Sequence, residues 1–595
     1  MTESTPSKGI NYPPPIEVPS TPYTNPAVSN PVMAGWALQV LSEVVVNIGP
    51  LQSILWGNAG FGALRTLEAT GILDTYTPCF DPTVIPHSAP VPPPPSPSAR
   101  EKSVFLSSKN YTSAYTAQTT TPAAVTRKLS ALLSPPSVHA LCTIFPIAPS
   151  TSTTTTSPIS FSPRTPLAGV PILVKDELAV AGTPKTLGLT LAEATRRGTA
   201  TSDAGATSWC VQRLIDAGAL VVGKASMHEI GFDTTNNNPN WGTPRNPYNN
   251  AYYTGGSSGG SAYAVAAGLV PIAVGADGGG SIRVPAAYCG VFGLKPSHGR
   301  VSSRPTLSIA PTTGVAGPIA ATMDDLELAY SIMAQPDPNN ATSREFPRGL
   351  KTPREACTGK RVLGVYKAWI EDCDADVRAA TQAAITWLQE SAGYEVVEIE
   401  IPLLKEGRMA HALTILTEIG QSFCKGDTRG LTPANKVIVA VGSKTSARDF
   451  AIAQKVRALL MGHLSFLFEK HGDGLVIVSP VTPHAGAKIA SEEHVKKGGA
   501  GVSDSNLSLK TMQYVFLSNF VGCPSISIPC GYSEEALPIG LLGMATWGAE
   551  ETLFELGRAG ERYLEDVVGR RKPGGDAWVD MMGVDIDSGD STVID

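Results

Sequence analysis

The chain has 595 residues, 42% of them hydrophobic, which excludes a small disulfide-stapled scaffold and allows one or two large cores. Its 46 Lys and Arg residues against 52 Asp and Glu residues leave a formal charge of −6, too small for this length to indicate a nucleic-acid partner. The nine cysteines are scattered without a CxxC pair, which predicts a reducing compartment and no zinc site.

The first hundred residues differ in composition from the rest. Residues 1–31 are rich in Pro, Ser and Thr and predict a poorly ordered leader; they lack the apolar segment of a secretory signal peptide, which predicts a cytoplasmic protein. Apolar residues recur at helical spacing over 33–48, which predicts an amphipathic helix packed on the core. Its polar face has no Lys or Arg, which argues against membrane contact. A polyproline segment at 88–99 predicts a linker, so we expect an N-terminal extension over 1–105.

Beyond the extension, apolar strand-like runs alternate with helical patterns. This alternation predicts an α/β fold, a single large α/β/α sandwich whose central sheet is covered by helices on both faces. We expect this domain to cover residues 106–575, followed by a C-terminal tail over 576–595. The strand-like runs lie at 170–175, 219–224, 270–277, 360–367, 394–401 and 474–480, and the helical patterns at 203–217, 374–390 and 448–469.

Two glycine-rich loops flank a short helix–strand unit between residues 255 and 286. The first loop reads GGSSGG and holds Ser257 and Ser258 between pairs of glycines. The second reads GADGGGS and ends at Ser281, where unhindered backbone N–H groups converge at the start of the next helix. Such donors suit a developing oxyanion, which makes Ser281 a candidate nucleophile. A serine that only caps a helix, and a nucleophile elbow centred on Ser257, are the alternative interpretations.

A serine hydroxyl is a weak nucleophile and needs a base. None of the nine histidines lies in these loops, but Lys175 ends the apolar run VPILV. Burial there would disfavour the ammonium form and leave a neutral amine that accepts a proton. Ser–Lys pairs are a known variant of the catalytic triad, so Lys175 is the candidate base.

These residues resemble the amidase signature family, position by position from Gly255 to Ala286. The flanking segments GVPILVKD at 169–176 and CGVFGLKPSHGRVS at 289–302 agree with the family pattern, and NFVGCPSISIPCGY at 519–532 is a weaker match. Together they extend the resemblance over about residues 110–565. The segment at 234–249 is most similar to a fungal branch of the family.

The resemblance implies a Ser-Ser-Lys triad on a mixed central sheet. In it, Ser281 is the nucleophile, Lys175 is the general base, and Ser257 bridges them, with a cis peptide bond between Ser257 and Ser258. The implied oxyanion-hole donors are the backbone N–H groups of Gly278, Gly279, Gly280 and Ser281. The implied supports of the loops are Ser258, Asp277 and Arg283.

The implied activity is hydrolysis of a linear carboxylic amide through a serine acyl-enzyme, with release of ammonia or an amine. Two alternatives stay open: a glutaminase-type subunit of a tRNA-dependent amidotransferase, ranked second because Val284 is apolar where that branch usually has a polar residue, and a catalytically silent scaffold. No cofactor is expected. No metal is expected either, since Phe232 stands where an HExxH motif starting at His228 needs its second histidine. The expected partner is a small-molecule amide, and a homodimer stays open.

Overall fold

The computed structural model describes residues 8–25, 30–87, 103–133, 142–143, 165–200, 205–347 and 360–582. The predicted linker at 88–99 lies outside these residues, as do parts of the predicted leader and C-terminal tail. The division into an extension, a main domain and a tail therefore stays a prediction.

Within the described residues, eleven strands form one sheet in the order β11-β10-β12-β15-β14-β8-β9-β7-β5-β6-β4. The short strands pair outside it, β1 with β3 and β2 with β13. The strands are β1 Gly9–Ile10, β2 Met33–Ala34, β3 Ile85–Pro86, β4 Cys142–Thr143, β5 Pro171–Lys175, β6 Leu220–Ala225, β7 Ile272–Asp277, β8 Phe292–Lys295, β9 Val315–Ala320, β10 Val362–Val365, β11 Glu395–Glu398, β12 Leu475–Pro480, β13 Val502–Ser503, β14 Ser525–Tyr532 and β15 Pro538–Met544.

Helices surround this sheet. They are α1 Gly35–Asn47, α2 Gly49–Asn58, α3 Ala63–Ala69, α4 Ser108–Thr116, α5 Pro122–Leu133, α6 Leu191–Arg196, α7 Trp209–Asp216, α8 Gly259–Ala266, α9 Arg283–Tyr288, α10 Met323–Met333, α11 Ala341–Glu345, α12 Lys367–Ile370, α13 Ala375–Ala392, α14 Leu404–Glu418, α15 Pro433–Gly442, α16 Ala447–His471, α17 Glu492–Val495, α18 Ser505–Thr511, α19 Phe516–Val521 and α20 Glu550–Tyr563.

The predicted mixed α/β fold is confirmed. The β5 strand runs parallel to β6 and β7, and β10 runs parallel to β11 and β12, whereas the strands between these groups pair antiparallel. Every residue of β5, β7 and β12 is buried, as expected of strands covered on both faces. Each of the six predicted strands is present, and so are the helices predicted within 203–217, 374–390 and 448–469.

The predicted amphipathic helix is α1, and it packs on the body through one face. Leu38 and Val45 are fully buried on that face, whereas Trp36 on the other face is 78% exposed. Within the described residues, no single helix has the length and apolar character to cross a membrane; only α1 and α2 taken together, bent by 110°, pass such a test.

Candidate active site

The three predicted triad residues line one cavity of about 440 Å³. Lys175 is the last residue of β5, and Ser281 follows the end of the neighbouring parallel strand β7. Ser257 comes from the loop that precedes α8. Parallel neighbours present their carboxyl ends at the same edge of a sheet, where α/β folds bind their ligands. The topology therefore brings together three residues that are far apart in sequence.

Lys175 lies at the floor of this cavity with 1% of its surface exposed. Its Nζ donates to Ser257 Oγ at 2.9 Å and to the backbone oxygen of Ala276 at 3.0 Å. It also contacts Glu177 Oε2 at 3.0 Å. The contact with Ser257 agrees with the expected base and bridge, whereas Glu177 was not among the residues singled out from the sequence.

The first glycine-rich loop contains the predicted cis peptide bond, but one position earlier. The bond joins Gly256 to Ser257, not Ser257 to Ser258. Ser258 connects the two loops instead, because its N–H donates to the Ser281 carbonyl at 3.1 Å and its Oγ donates to the Ala276 carbonyl at 3.1 Å. This double attachment agrees with the supporting role expected of Ser258.

Ser281 sits on a loop that bends sharply at Gly280. The φ angle of Gly280 is +112°, and a Cβ atom there would lie 2.5 Å from Val515 Cγ2, so a larger residue does not fit. The Gly280 N–H donates to Asp277 Oδ1 at 2.7 Å. Its expected place among the oxyanion donors is therefore wrong for this structure. In the described part of the chain, Gly278, Gly279 and Ser281 have no hydrogen-bond partner for their N–H groups, which leaves these three free to bind an oxyanion.

The two hydroxyls of the predicted relay are not directly hydrogen-bonded. Within the described residues, no hydrogen bond of 3.5 Å or less joins Ser257 Oγ to Ser281 Oγ, although both groups line the cavity. Catalytic hydrogen bonds in a free enzyme are often longer than in its substrate complex. The geometry thus places the nucleophile beside the Ser257–Lys175 pair without closing the relay.

Asp277 and Arg283 form a buried ion pair beneath the loop. The Arg283 guanidinium donates to both Asp277 oxygens at 3.0 Å, and neither residue is more than 1% exposed. Together with the N–H groups of Gly280 and Ile282, Arg283 holds the pKa of Asp277 well below its usual range, although burial acts in the opposite direction. The supporting roles expected of Asp277 and Arg283 agree with this geometry.

Residues near α19 complete that network. Asn519 Nδ2 donates to Asp277 Oδ1 at 3.0 Å, and Arg283 donates to Ser518 Oγ at 2.8 Å and to the Val515 carbonyl at 2.9 Å. The family resemblance at 519–532 predicted no role for Asn519. Only the fold brings this segment within hydrogen-bond distance of residue 277.

His411 on α14 supports the loop from another side. Its Nε2 lies 2.8 Å from the Gly278 carbonyl, which can only accept, so the ring is the Nε2–H tautomer. Burial lowers the pKa of His411 to about 4, with partial compensation from this hydrogen bond. The peptide between Gly278 and Gly279 is trans, so anchoring its oxygen on one side fixes its N–H on the other. His411 carried no recognisable signal in the sequence.

No cluster of three or more His, Cys, Asp or Glu side chains suited to hold a metal ion is present in the described ranges. The donors within the cavity are hydroxyls, backbone N–H groups and the Lys175–Glu177 pair. These are the groups of acid–base and acyl-transfer chemistry.

An α/β sheet that carries a buried Ser–Lys contact and a glycine loop at its carboxyl edge defines a serine hydrolase of the Ser–Lys class. Comparisons with known proteins narrow this class. A family model described as Amidase matches residues 133–554, more than half of the chain. The chain belongs to the amidase signature family.

Individual relatives agree with this assignment. Over 424 residues the chain is 34% identical to a fatty acid amide hydrolase from Medicago truncatula, covering 70% of this chain and 67% of that one. It is 31% identical over 432 residues to a glutamyl-tRNA(Gln) amidotransferase subunit from Koribacter versatilis, covering 67% and 85%. The structure of a bacterial aryl acylamidase shares the fold, with a TM-score of 0.62 at 24% identity, covering 78% and 99%. The match spans 57% to 67% of the plant relatives' own length, and the fungal placement stays a prediction.

Proposed function

We propose that this protein hydrolyses the C–N bond of carboxylic amides through an acyl-enzyme on Ser281. The observation that carries this proposal is the 2.9 Å contact between the buried Lys175 amine and Ser257, in the cavity that Ser281 also lines. A lysine that only stabilised the fold would not need a hydroxyl and a nucleophile candidate beside it in an open cavity.

The proposed reaction has two steps. Ser281 Oγ attacks the amide carbonyl and passes its proton to Ser257 Oγ, while Ser257 passes its own proton to the Lys175 amine. The relay then returns a proton to the leaving nitrogen, and ammonia or an amine departs. Water attacks the acyl-enzyme by the same relay, which releases the carboxylic acid and restores Ser281. The N–H groups of Gly278, Gly279 and Ser281 would bind the oxyanion in both steps.

The lining of the cavity supports an amide with an apolar acyl group. Leu178, Ile309, Ile415 and Ile419 line it, and Leu307, which also belongs to the lining, is 76% exposed. Two of the relatives are named for fatty acid amides and for aryl acylamides, which are amides of this kind. We therefore place acyl amides ahead of small polar amides such as glutamine, the substrate expected of the amidotransferase alternative.

Released amine, measured over a panel of acetamide, glutamine, an acyl anilide and a long-chain acyl amide, tests this proposal. We expect turnover of the last two, and we expect Ser281→Ala to lower kcat by about 10⁴-fold or more, because no other group can form the acyl-enzyme. Ser331→Ala is the matched control. Ser331 is a buried serine on α10 whose hydroxyl donates to the Leu328 carbonyl, outside the cavity.

Three results would contradict the proposal or its substrate class. Wild-type kcat in Ser281→Ala would exclude the acyl-enzyme. Turnover of glutamine alone would favour the amidotransferase alternative. If the wild-type protein neither turned over any amide nor reacted with a fluorophosphonate probe, the scaffold alternative would be favoured.

A further inference from the structure

Glu177 lies in the turn that leaves β5, two residues after Lys175. It lines the same cavity, is 8% exposed, and brings Oε2 to 3.0 Å from Lys175 Nζ. Two opposite charges at this distance attract strongly where water is excluded. A carboxylate in this place favours the ammonium form of the lysine, which opposes the effect of burial alone.

The other charged groups around Lys175 have partners of their own. Asp176 on the same turn pairs with Lys224 of β6 at 3.1 Å, and Asp277 at the end of β7 pairs with Arg283. Asp233 accepts a hydrogen bond from Ser508 at 2.8 Å. Burial lowers the pKa of His228, which precedes a short helical turn at 229–231, so this ring is neutral at pH 7. Glu177 is therefore the carboxylate that balances the charge of Lys175.

We propose that Glu177 is a positioning residue that holds Lys175 in place and stabilises the ammonium ion that forms when Lys175 takes the proton of Ser257. This inference rests on the proposed function. In the resting pair, Lys175 is an ammonium ion beside the Glu177 carboxylate, and loss of one proton to solvent leaves the neutral amine that starts the reaction. When Ser281 attacks, its proton moves to Ser257 and that of Ser257 to Lys175, which again faces the carboxylate.

This role is the one that the aspartate of a Ser-His-Asp triad has toward its histidine. That aspartate orients the base and stabilises its charged form without taking the proton itself. Glu177 has the same relation to the base in space, because it contacts Lys175 and not Ser257 in the described structure. The neighbouring Asp176, in contrast, accepts hydrogen bonds from Thr186 and ties the turn to the fold.

The pH dependence of fluorophosphonate labelling of Ser281 tests this role without knowledge of the substrate. The probe forms a Ser281 Oγ–P bond, fluoride leaves, and the serine proton moves toward Lys175. For Glu177→Gln we expect the acid limb of the labelling rate to move to lower pH by about one unit, because the nearest negative charge is gone. We also expect the plateau rate to fall by about tenfold, because a weaker base drives the transfer less.

Glu193→Gln is the matched control. Glu193 is equally buried, at 8% exposed, and pairs with Arg196 and Arg197 on α6, outside the cavity lining. We expect its pH profile to be that of the wild type, and we expect Glu177→Asp to restore part of the wild-type limb. Measuring the melting temperature of each variant separates loss of folding from loss of reactivity.

Two outcomes would overturn the role of Glu177. A lower plateau with an unmoved acid limb would show a merely structural residue, and loss of labelling at every pH in a folded Glu177→Gln would show that the carboxylate itself takes the proton. Failure of the proposed function gives a different result, since Ser281→Ala would then be labelled as fast as the wild type.

Discussion

The loops around Ser281 and the N-terminal helices reverse the usual relation between hydropathy and burial. In the loops, the charged residues Asp277 and Arg283 are 1% and 0% exposed. In α1 and α2, the apolar residues Trp36 and Ile54 are 78% and 59% exposed. The loops bury charge because several segments of the chain supply its partners, whereas each helix meets the body through one face. The neighbours of an element, more than its composition, therefore decide what it buries.

The two regions should respond differently to substitution. In the loops, each polar group is held by others, so removal of one leaves its partners unsatisfied. On the outer face of α1, removal of a side chain leaves no buried group without a partner. We therefore expect the effects of substitution to decrease from the buried ion pair, through the buried face of α1, to a single hydrogen bond beneath the oxyanion loop.

The largest effect is expected for Asp277→Asn. The substitution removes the charge that balances Arg283, which stays buried and cationic, so we expect the free energy of unfolding to fall by about 3–5 kcal/mol in urea denaturation. Asp216→Asn is the control, because the Asp216 side chain is 44% exposed where it pairs with Arg213. Its expected loss is below about 1 kcal/mol. Similar losses in both variants would contradict the contrast between buried and exposed charge.

A second prediction compares the two faces of α1. Leu38 is fully buried among the residues beneath the helix, so Leu38→Ala should cost about 2–5 kcal/mol of unfolding free energy. Trp36→Ala removes a larger side chain from the exposed face and should change stability by less than about 0.5 kcal/mol. A larger loss for Trp36 than for Leu38 in urea denaturation would show that the outer face is covered in solution.

The smallest effect concerns the support of the oxyanion loop. His411→Phe keeps a ring against Gly279 but removes the donor to the Gly278 carbonyl, so we expect kcat to fall by about tenfold, less than the loss expected for a direct oxyanion donor. His411→Gln retains an N–H donor and should recover part of the rate. An unchanged kcat in His411→Phe would show that the loop holds its shape without this bond.

The same residue gives a pH dependence of stability. The His411 pKa is about 4 in the fold against 6.5 for an ordinary histidine, so between these values the unfolded chain binds more protons than the folded one. The stability due to the neutral ring is therefore complete above pH 6.5 and is lost as the pH falls toward 4. Over this range the wild type should lose stability faster than His411→Phe.

Much of the fold and of the site could be predicted from the sequence. Strands such as β5 and β7 have continuous apolar runs, which is the pattern of strands buried on both faces. The glycines around Ser257 and Ser281 mark close backbone approach, which made both loops recognisable. Glu177 also had a signal, since residues two apart on an extended chain point to the same side, but this signal is weak where a strand ends.

The sequence by itself determined the chemical groups and their local spacing: a lysine that ends one buried strand, two serines among glycines, and an aspartate six residues before an arginine. Only the tertiary structure decided which distant groups meet them, such as Asn519 at Asp277 and His411 at Gly278. The physical reason is that backbone geometry constrains neighbours along the chain, whereas residues separated by more than a hundred positions meet only through the packing of the whole sheet and its helices.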